Sequence, residues 1–258
     1  MASNIGRSSL DRDEVDTKKL KRGSAEEDIR LLSMVDIFEP LSREELEAIN
    51  WNRLETSIKA GETFFMPMDL GETLFILKSG RVRLFKKNSE GREFTLAVLE
   101  SGTVFGEMSI TAQRLRNAYA QAIEPSNVAA MCRADVERLI MEKPRVGLQL
   151  VHLLSNRLNA YEIRLEDLAL KKVPARLASL LCLLIESQGI RTSEGYKIPT
   201  RYTHQQLATM IGANREAVTR AFSVLREIGA VEVRRRYICV EDIEALERAA
   251  ENTARQEA

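Results

Sequence analysis

The chain has 258 residues, of which 44% are apolar and 29% charged, and its formal net charge is zero. This composition is that of a folded protein with one or two domains, and it excludes a disordered chain. The charge is unevenly distributed: residues 171–240 hold 12 Lys and Arg against 5 Asp and Glu, whereas residues 241–258 hold 6 acidic and 2 basic residues. The basic segment favours contact with an anionic partner.

The few cysteines and histidines argue against several kinds of site. Cys132, Cys182 and Cys239 lie at least 50 residues apart, so we expect no disulfide framework, zinc knuckle or locally assembled iron–sulfur cluster. With only His152 and His204, no metal site is expected. The sequence shows no apolar run of the roughly 20 residues that a membrane span needs and no signal-peptide pattern. We therefore expect a cytoplasmic protein with no membrane partner.

The N-terminal part combines a polar tail with helical spacing. Residues 1–24 are polar and charged, which predicts a mobile tail. Helical spacing begins at Ala25. Ser42 followed by Glu45 predicts a capping box before a short helix that ends near Asn50.

The pattern then changes to that of β-strands. From residue 51 to residue 132 the apolar residues alternate or cluster in short runs. Turns containing glycine recur about every ten residues, which is typical of short antiparallel strands in a barrel or sandwich. These turns are expected at residues 59–61, 69–71, 78–80, 88–91 and 100–102. The first domain is therefore predicted to be an antiparallel β domain.

Helix is predicted again from Asp135, and a heptad pattern follows Pro144. Its apolar residues are spaced 4, 4, 3, 4 and 3 apart, at Leu150, Leu154, Leu158, Tyr161, Leu165 and Leu168. This spacing is typical of a seam along which two helices supercoil. A long helix that leaves a β domain has little of its own chain to cover it, so we expect a homodimer. The alternative is that the helix packs on its own β domain.

The C-terminal part is predicted to be mainly helical. After a break at Pro174, residues 175–188 form an apolar helix, followed by a loop and a short strand near residues 196–199. Two short helices come next. Residues 231–233 and 237–240 then predict a hairpin, and a last, acidic helix begins near Glu241.

The two short helices meet at a glycine. Thr203 with Gln206 caps the first helix, Gly212 allows the turn, and Asn214 caps the second. Two helices joined by a short turn with glycine form a helix-turn-helix, whose second helix enters the major groove of DNA. This arrangement predicts a DNA-binding domain.

The second helix carries side chains suited to contacting base edges. Arginine can bond guanine through two hydrogen bonds, and glutamate can accept from cytosine, each pair discriminating by about 1–3 kcal/mol. The alternative is a solvated ion pair between Glu216 and Arg220, worth about 0.3–0.5 kcal/mol. Three arginines at the hairpin tip favour DNA, because phosphate contacts belong beside a recognition helix. The expected DNA contacts are Thr203, His204, Arg215, Glu216, Thr219, Arg220, Arg234, Arg235 and Arg236.

With these elements, residues 30–245 resemble the cyclic-AMP receptor protein/fumarate–nitrate regulator (CRP/FNR) family, and the stretch GANREAVTRAF (212–222) resembles its recognition helix. The resemblance implies an α+β fold: an N-terminal antiparallel β-roll of the cyclic-nucleotide-binding type, a long dimerisation helix and a C-terminal winged helix-turn-helix. It also implies that Arg215, Glu216 and Arg220 contact a TGTGA half-site. The dimer would then bind a TGTGA-N6-TCACA palindrome and activate transcription with RNA polymerase.

This resemblance gives the expected domain boundaries. Residues 1–24 are the tail and residues 25–134 the β-roll. Residues 135–172 form the dimerisation region and residues 173–245 the winged helix-turn-helix, while residues 246–258 are an acidic tail.

A second resemblance concerns a small-molecule effector. VFGEMSI (104–110), followed by Arg116-Asn117-Ala118, resembles the family's phosphate-binding cassette. The implied pocket consists of Gly106, Glu107, Met108, Arg116, Asn117, Arg157, Tyr161 and Glu162. Asn117 replaces the Ser or Thr of cyclic-AMP binders, and Tyr161-Glu162 replaces their Thr-Ser pair. Arg157 and Glu162 match positions that contact 2-oxoglutarate in nitrogen regulators of the family.

Three alternatives for the effector remain: none, a cyclic nucleotide such as cyclic AMP, or 2-oxoglutarate or another anion. The family's oxygen-sensing branch needs a cysteine cluster and its haem-binding branch a histidine in or near the roll. Neither kind of sensor is expected here, because the three cysteines lie far apart in the sequence and residues 1–151 contain no histidine.

Two other classes of protein are alternatives to a specific regulator. A regulatory subunit gated by a cyclic nucleotide needs a catalytic constellation. The sequence has no Ser/His/Asp set, Walker lysine loop or paired metal carboxylates, so an enzyme is not expected. An architectural DNA-binding protein would bind a scrambled palindrome as tightly as the intact one.

Overall fold

A computed structural model of the protein describes residues 33, 35–48, 54–110 and 115–251. The predicted tail at residues 1–24, the helical spacing from Ala25 and the end of the chain after residue 251 lie outside this part. The chain divides into two compact units. The first comprises residues 1–82, 99–117 and 121–150, and the second comprises residues 83–98, 118–120 and 151–258.

In the described part of the first unit, a short capped helix precedes the strands. A 3₁₀ turn at Asp36–Phe38 precedes helix α1 (Arg43–Ala48). The backbone N–H of Ser42 donates to Glu45 Oε2 (2.9 Å), and the N–H of Glu45 donates to Ser42 Oγ (3.2 Å). The predicted capping box is therefore confirmed. The predicted helix end near Asn50 lies outside the described residues.

The prediction of short antiparallel strands is confirmed. The strands are β1 (Leu54–Ile58), β2 (Thr63–Phe65), β3 (Thr73–Ser79), β4 (Val82–Lys87), β5 (Glu93–Leu99), β6 (Val104–Phe105), β7 (Tyr119–Ala122) and β8 (Ser126–Cys132). They form two four-stranded sheets with the orders β1–β8–β3–β6 and β2–β7–β4–β5. In the first sheet β3 pairs antiparallel with β8, and Ile76 lies opposite Ala129. Both residues are buried, so this pair contributes to the core of the unit.

Two helices follow the strands. Helix α2 (Arg133–Glu142) begins two residues before the predicted start at Asp135. Helix α3 (Pro144–Leu170) has 27 residues and contains the whole predicted heptad pattern. No helix in the described part of the chain is long and apolar enough to cross a membrane.

The C-terminal half of the second unit alternates helices with a small sheet. Its elements are α4 (Val173–Gln188), β9 (Ile190–Thr192), β10 (Gly195–Ile198), α5 (His204–Ile211), α6 (Arg215–Glu227), β11 (Val231–Arg234), β12 (Tyr237–Val240) and α7 (Ile243–Glu251). The sheet has the order β11–β12–β10–β9. Leu177, Leu207 and Leu225 are fully buried and bring α4, α5 and α6 into one core.

Three details of this half differ from the prediction. Helix α4 begins at Val173 instead of residue 175, because Pro174 lies in its first turn, where its missing N–H is not needed. Helix α7 begins at Ile243, two residues after the predicted start. Strand β9 lies where the sequence predicts a loop. Its three residues are exposed and pair with β10 through the backbone alone, so no apolar alternation marks it.

Strand β5 packs against the helix-turn-helix within the second unit. Thr95 and Thr209 are almost completely buried, and their hydroxyl oxygens lie 3.0 Å apart. Thr209 Oγ1 donates to the carbonyl of Gln206 (2.8 Å), so Thr95 is the donor in the bond between the two hydroxyls. Arg164 of α3 donates to the carbonyl of Leu96. We call this contact between β5, α3 and α5 the β5 junction.

The β5 junction predicts an unequal cost for removing its two hydroxyls. In Thr209→Val the Thr95 hydroxyl loses its acceptor and stays buried, which costs about 1–3 kcal/mol of unfolding free energy. Thr95→Val costs less, because the Thr209 hydroxyl still donates to the carbonyl of Gln206. The double variant is expected to be more stable than Thr209→Val alone. Denaturant unfolding measures all three variants, and strictly additive costs would contradict the coupling.

Candidate DNA interface and effector pocket

A left-handed turn joins helices α5 and α6. Gly212 has φ 62° and ψ 43°, a left-handed conformation that residues other than glycine rarely adopt. The N–H of Ala213 donates to the carbonyl of Ala208 (2.9 Å). Asn214 Oδ1 accepts from the N–H of Ala217 (2.7 Å), which confirms the predicted N-cap of α6. The turn and the cap together fix where α6 begins.

The first helix of the pair is capped as predicted. The N–H of Thr203 donates to Gln206 Oε1 (2.8 Å), and the N–H of Gln206 donates to Thr203 Oγ1 (3.1 Å). The Thr203 hydroxyl therefore belongs to a capping box. The sequence also predicts that Thr203 contacts DNA, and its exposed position is compatible with that role.

Helix α6 has one buried and one exposed face. Val218, Phe222 and Leu225 pack into the core. The exposed side holds Arg215, Glu216, Thr219 and Arg220, which we call the recognition face.

The ion pair considered as an alternative does not form. In the part of the chain that the structure describes, Glu216 and Arg220 form no ion pair with each other or with another residue. The charged groups of the recognition face are therefore available to an external partner.

His204 connects the first helix to the recognition face. Its Nδ1 lies 2.8 Å from Thr219 Oγ1, and Thr219 Oγ1 donates to the carbonyl of Arg215 (3.0 Å). The imidazole ring also stacks on Phe222, with ring centroids 5.0 Å apart and planes at 15°. The sequence predicts both His204 and Thr219 as DNA contacts but does not show that they bond to each other.

The hairpin beside the recognition helix ends in a two-residue turn. We call strands β11 and β12 with this turn the wing. Arg234 pairs with Tyr237 in the ladder, and Arg235 (φ 51°) and Arg236 (φ 70°) form the turn. Positive φ at both central residues defines a type I′ turn, which usually contains Asn and Gly. Two arginines there are strained, as is common at functional sites.

The three wing arginines differ in their partners. Arg234 forms ion pairs with Glu194 and Glu241. Arg235 and Arg236 are exposed, and neither makes an ion pair among the described residues. The two turn residues are thus better placed than Arg234 to bind phosphate.

The phosphate-binding cassette is centred on a buried arginine in the first unit. Arg116 is 4% exposed, and its Nη1 and Nη2 donate to the carbonyls of Gly106 (2.5 Å) and Thr73 (2.6 Å). Its guanidinium carbon lies 4.3 Å from the ring centre of Phe65. Both terminal nitrogens therefore already bind the protein itself.

Two of the five N–H groups of this arginine are committed to backbone carbonyls. Arg116 Nε is buried without a hydrogen-bond partner among the described residues. Each terminal nitrogen keeps a second N–H that these two carbonyls do not use. The side chain of Asn117 is exposed, and Glu107 is half-buried. Met108 lies in the 3₁₀ turn Glu107–Ile110. The residues fit an anion, which would contact Arg116 in an almost completely buried position.

The other predicted effector residues lie on α3 in the second unit. Arg157 and Tyr161 are half-buried, and Glu162 is exposed. The predicted seam lies on the same helix. Leu158 and Leu165 are 59% and 65% exposed, and Leu154 and Leu168 are exposed as well. Leu150 is instead buried. A stripe of exposed leucines therefore follows the predicted seam over most of its length.

Comparison with known proteins gives two family matches. Residues 55–143 match the cyclic nucleotide-binding domain, and residues 175–249 match the Crp-like helix-turn-helix domain. A CRP/FNR-family transcriptional regulator from Thermus thermophilus is 26% identical with a TM-score of 0.65, covering 77% of this chain and 99% of that chain. CooA from Carboxydothermus hydrogenoformans, a mutant structure, is 24% identical with a TM-score of 0.68 and covers 77% and 88%, which shows the fold alone.

Curated relatives agree with these matches. The cyclic AMP receptor protein of Thermus thermophilus is 36% identical over 173 residues, 67% of this chain and 77% of that protein. The global nitrogen regulator of Synechocystis sp. PCC 6803 is 33% identical over 187 residues, 72% of this chain and 83% of that protein. These relatives are transcriptional regulators rather than enzymes. With its cyclic-nucleotide-binding-type domain and helix-turn-helix, the chain belongs to the CRP/FNR family of transcription regulators.

Proposed function

We propose that the protein is a homodimeric regulator that binds a TGTGA-N6-TCACA palindrome. The observation that carries this proposal is the recognition face, where two arginines and a glutamate are exposed on the first two turns of α6. Residues at this end of a recognition helix contact base edges. Arg215 and Arg220 supply the paired donors that guanine accepts, and Glu216 supplies an acceptor for cytosine.

The wing supplies the phosphate contacts in this proposal. Arg235 and Arg236 form the exposed tip of the hairpin that follows α6. Contacts to phosphate hold a protein in register on DNA but carry no sequence information. In this proposal the wing therefore contributes affinity, and the recognition face contributes sequence specificity.

The dimer is proposed to form along α3. Its exposed leucines recur at heptad spacing, and covering them removes apolar surface from water at about 25 cal/mol per Å². A palindromic site requires a two-fold symmetric protein. We place the β-roll at residues 25–134, the dimerisation region at 135–172 and the DNA-binding domain at 173–245, and we propose that the dimer activates transcription with RNA polymerase.

We further propose that DNA binding needs no small-molecule effector. The support is Arg116, which is 4% exposed and donates from both terminal nitrogens to backbone carbonyls, so its guanidinium is held in place without a ligand. A cyclic nucleotide is the second candidate, favoured by the match to the cyclic nucleotide-binding domain and by the orphaned Nε of Arg116. 2-Oxoglutarate is the third candidate, suggested by the similarity to global nitrogen regulators.

The seam is tested by placing charge on it. Leu158→Glu with Leu165→Glu is expected to give a monomer, because four carboxylates would meet in the apolar interface. The matched control is Ile163→Glu, on the same helix, 50% exposed and off the seam. Sedimentation velocity measures the oligomeric state. A dimer that survives the seam substitutions, or one that Ile163→Glu also breaks, would contradict the assignment.

The proposed function is tested by fluorescence anisotropy at fixed salt. We expect binding to the TGTGA-N6-TCACA duplex with the same nanomolar affinity in the presence and absence of cyclic AMP. A scrambled duplex should bind at least ~10³-fold more weakly. Binding that requires cyclic AMP would contradict effector independence. Equal affinity for both duplexes would contradict sequence specificity and support the architectural alternative.

A further inference from the structure

His204 is the first residue of α5 and is held against the recognition helix on two sides. Its ring stacks on Phe222, and its Nδ1 bonds Thr219 at 2.8 Å. Both partners belong to α6, so the ring fixes the N-terminal end of α5 to the middle of the recognition helix. The residue is partly exposed, and among the described residues its hydrogen bond is at Nδ1, so that Nε2 is available to a partner.

The bond to Thr219 determines which ring nitrogen can titrate. Thr219 Oγ1 donates its proton to the carbonyl of Arg215 (3.0 Å), so it must accept from the Nδ1–H of His204. In the neutral ring Nε2 is then the acceptor. Protonation adds a hydrogen at Nε2 and leaves the Nδ1 bond intact. The connection between the two helices is therefore compatible with both charge states.

The surroundings of His204 favour the neutral ring in the absence of DNA. Burial lowers the pKa of His204, and the positive charges of Arg215 and Arg226 lower it further. Arg226 in turn lies 3.5 Å from Glu232 of β11, which offsets part of its charge. An anion close to Nε2 would instead raise the pKa of His204.

DNA binding would bring such an anion. In a helix-turn-helix the first helix crosses the DNA backbone, and groups at helix N-termini contact phosphate oxygens. We propose that, when DNA binds, His204 is protonated at Nε2 and donates an Nε2–H hydrogen bond to a backbone phosphate, so that DNA affinity increases as pH falls. This inference rests on the proposed function, and it adds a proton-linked phosphate contact to it.

The direction of the pH effect follows from linkage. The phosphate raises the pKa of His204 in the complex, whereas burial and the two arginines lower it in the free protein. The complex therefore holds more protons than its separate parts between these two pKa values. Each protomer then gains affinity as pH falls through this window, by up to about one log unit per pH unit for one proton.

The experiment measures the affinity of the full-length protein for the palindrome between about pH 6 and pH 8, which brackets the ordinary histidine pKa. Wild-type affinity should rise as pH falls. His204→Gln should bind more weakly and without this pH dependence, and His204→Arg, which stays charged, should bind tightly at every pH. His152→Gln is the matched control, because His152 is the only other histidine, and it should keep the wild-type slope.

A second measurement uses the wild-type protein and therefore does not depend on whether the variants fold. NMR titration of the His204 ring in the wild-type protein should give a higher pKa with DNA bound than without it. Flat wild-type affinity, a slope that persists in His204→Gln, or an unchanged His204 pKa on DNA binding would overturn the inference. Wild-type protein that does not prefer the palindrome at any pH would instead overturn the proposed function.

Discussion

The turn at Gly212 is the constraint on which the DNA-binding surface depends. Only a residue that tolerates φ 62° lets α5 end and α6 begin with three residues between them. The Asn214 cap then sets the first turn of α6, and the buried residues Val218 and Leu225 fix its rotation about its axis. The turn, the cap and the buried residues together place the recognition face at the surface. Its three charged members form no ion pair among the described residues, whereas Thr219 also bonds His204.

The same turn is also where the helix-turn-helix meets the rest of the second unit. A Cβ on Gly212 would lie 2.8 Å from Leu168 of α3 and 3.4 Å from Phe94 of β5. Arg176 of α4 donates to the carbonyl of Ile211 (2.9 Å), next to the turn. A shift of α3 or β5 would therefore change the position of α6. Any ligand that favours one packing of this region over another would shift the population of DNA-competent protein.

Local patterns allowed much of this arrangement to be predicted from the sequence. The capping box at Thr203, the cap at Asn214 and the turn at Gly212 depend on near neighbours in the chain. Contacts between distant residues could not be predicted. Arg234 pairs with Glu194, 40 residues away, and Thr95 bonds Thr209, 114 residues away. No local pattern in the sequence indicates such pairs. The cassette pattern likewise gave no sign that Arg116 bonds the protein's own carbonyls.

The proposed DNA interface consists of three side chains of α6 that contact base edges. It is tested most directly by measuring the affinity of Arg215→Ala, Glu216→Ala and Arg220→Ala for a set of half-sites that differ by one base pair. Each variant should lose discrimination at one base step, by about 1–3 kcal/mol, and keep it elsewhere. Glu227→Ala, exposed at the far end of the same helix, is the control. Unchanged base preference in all three variants would contradict the account.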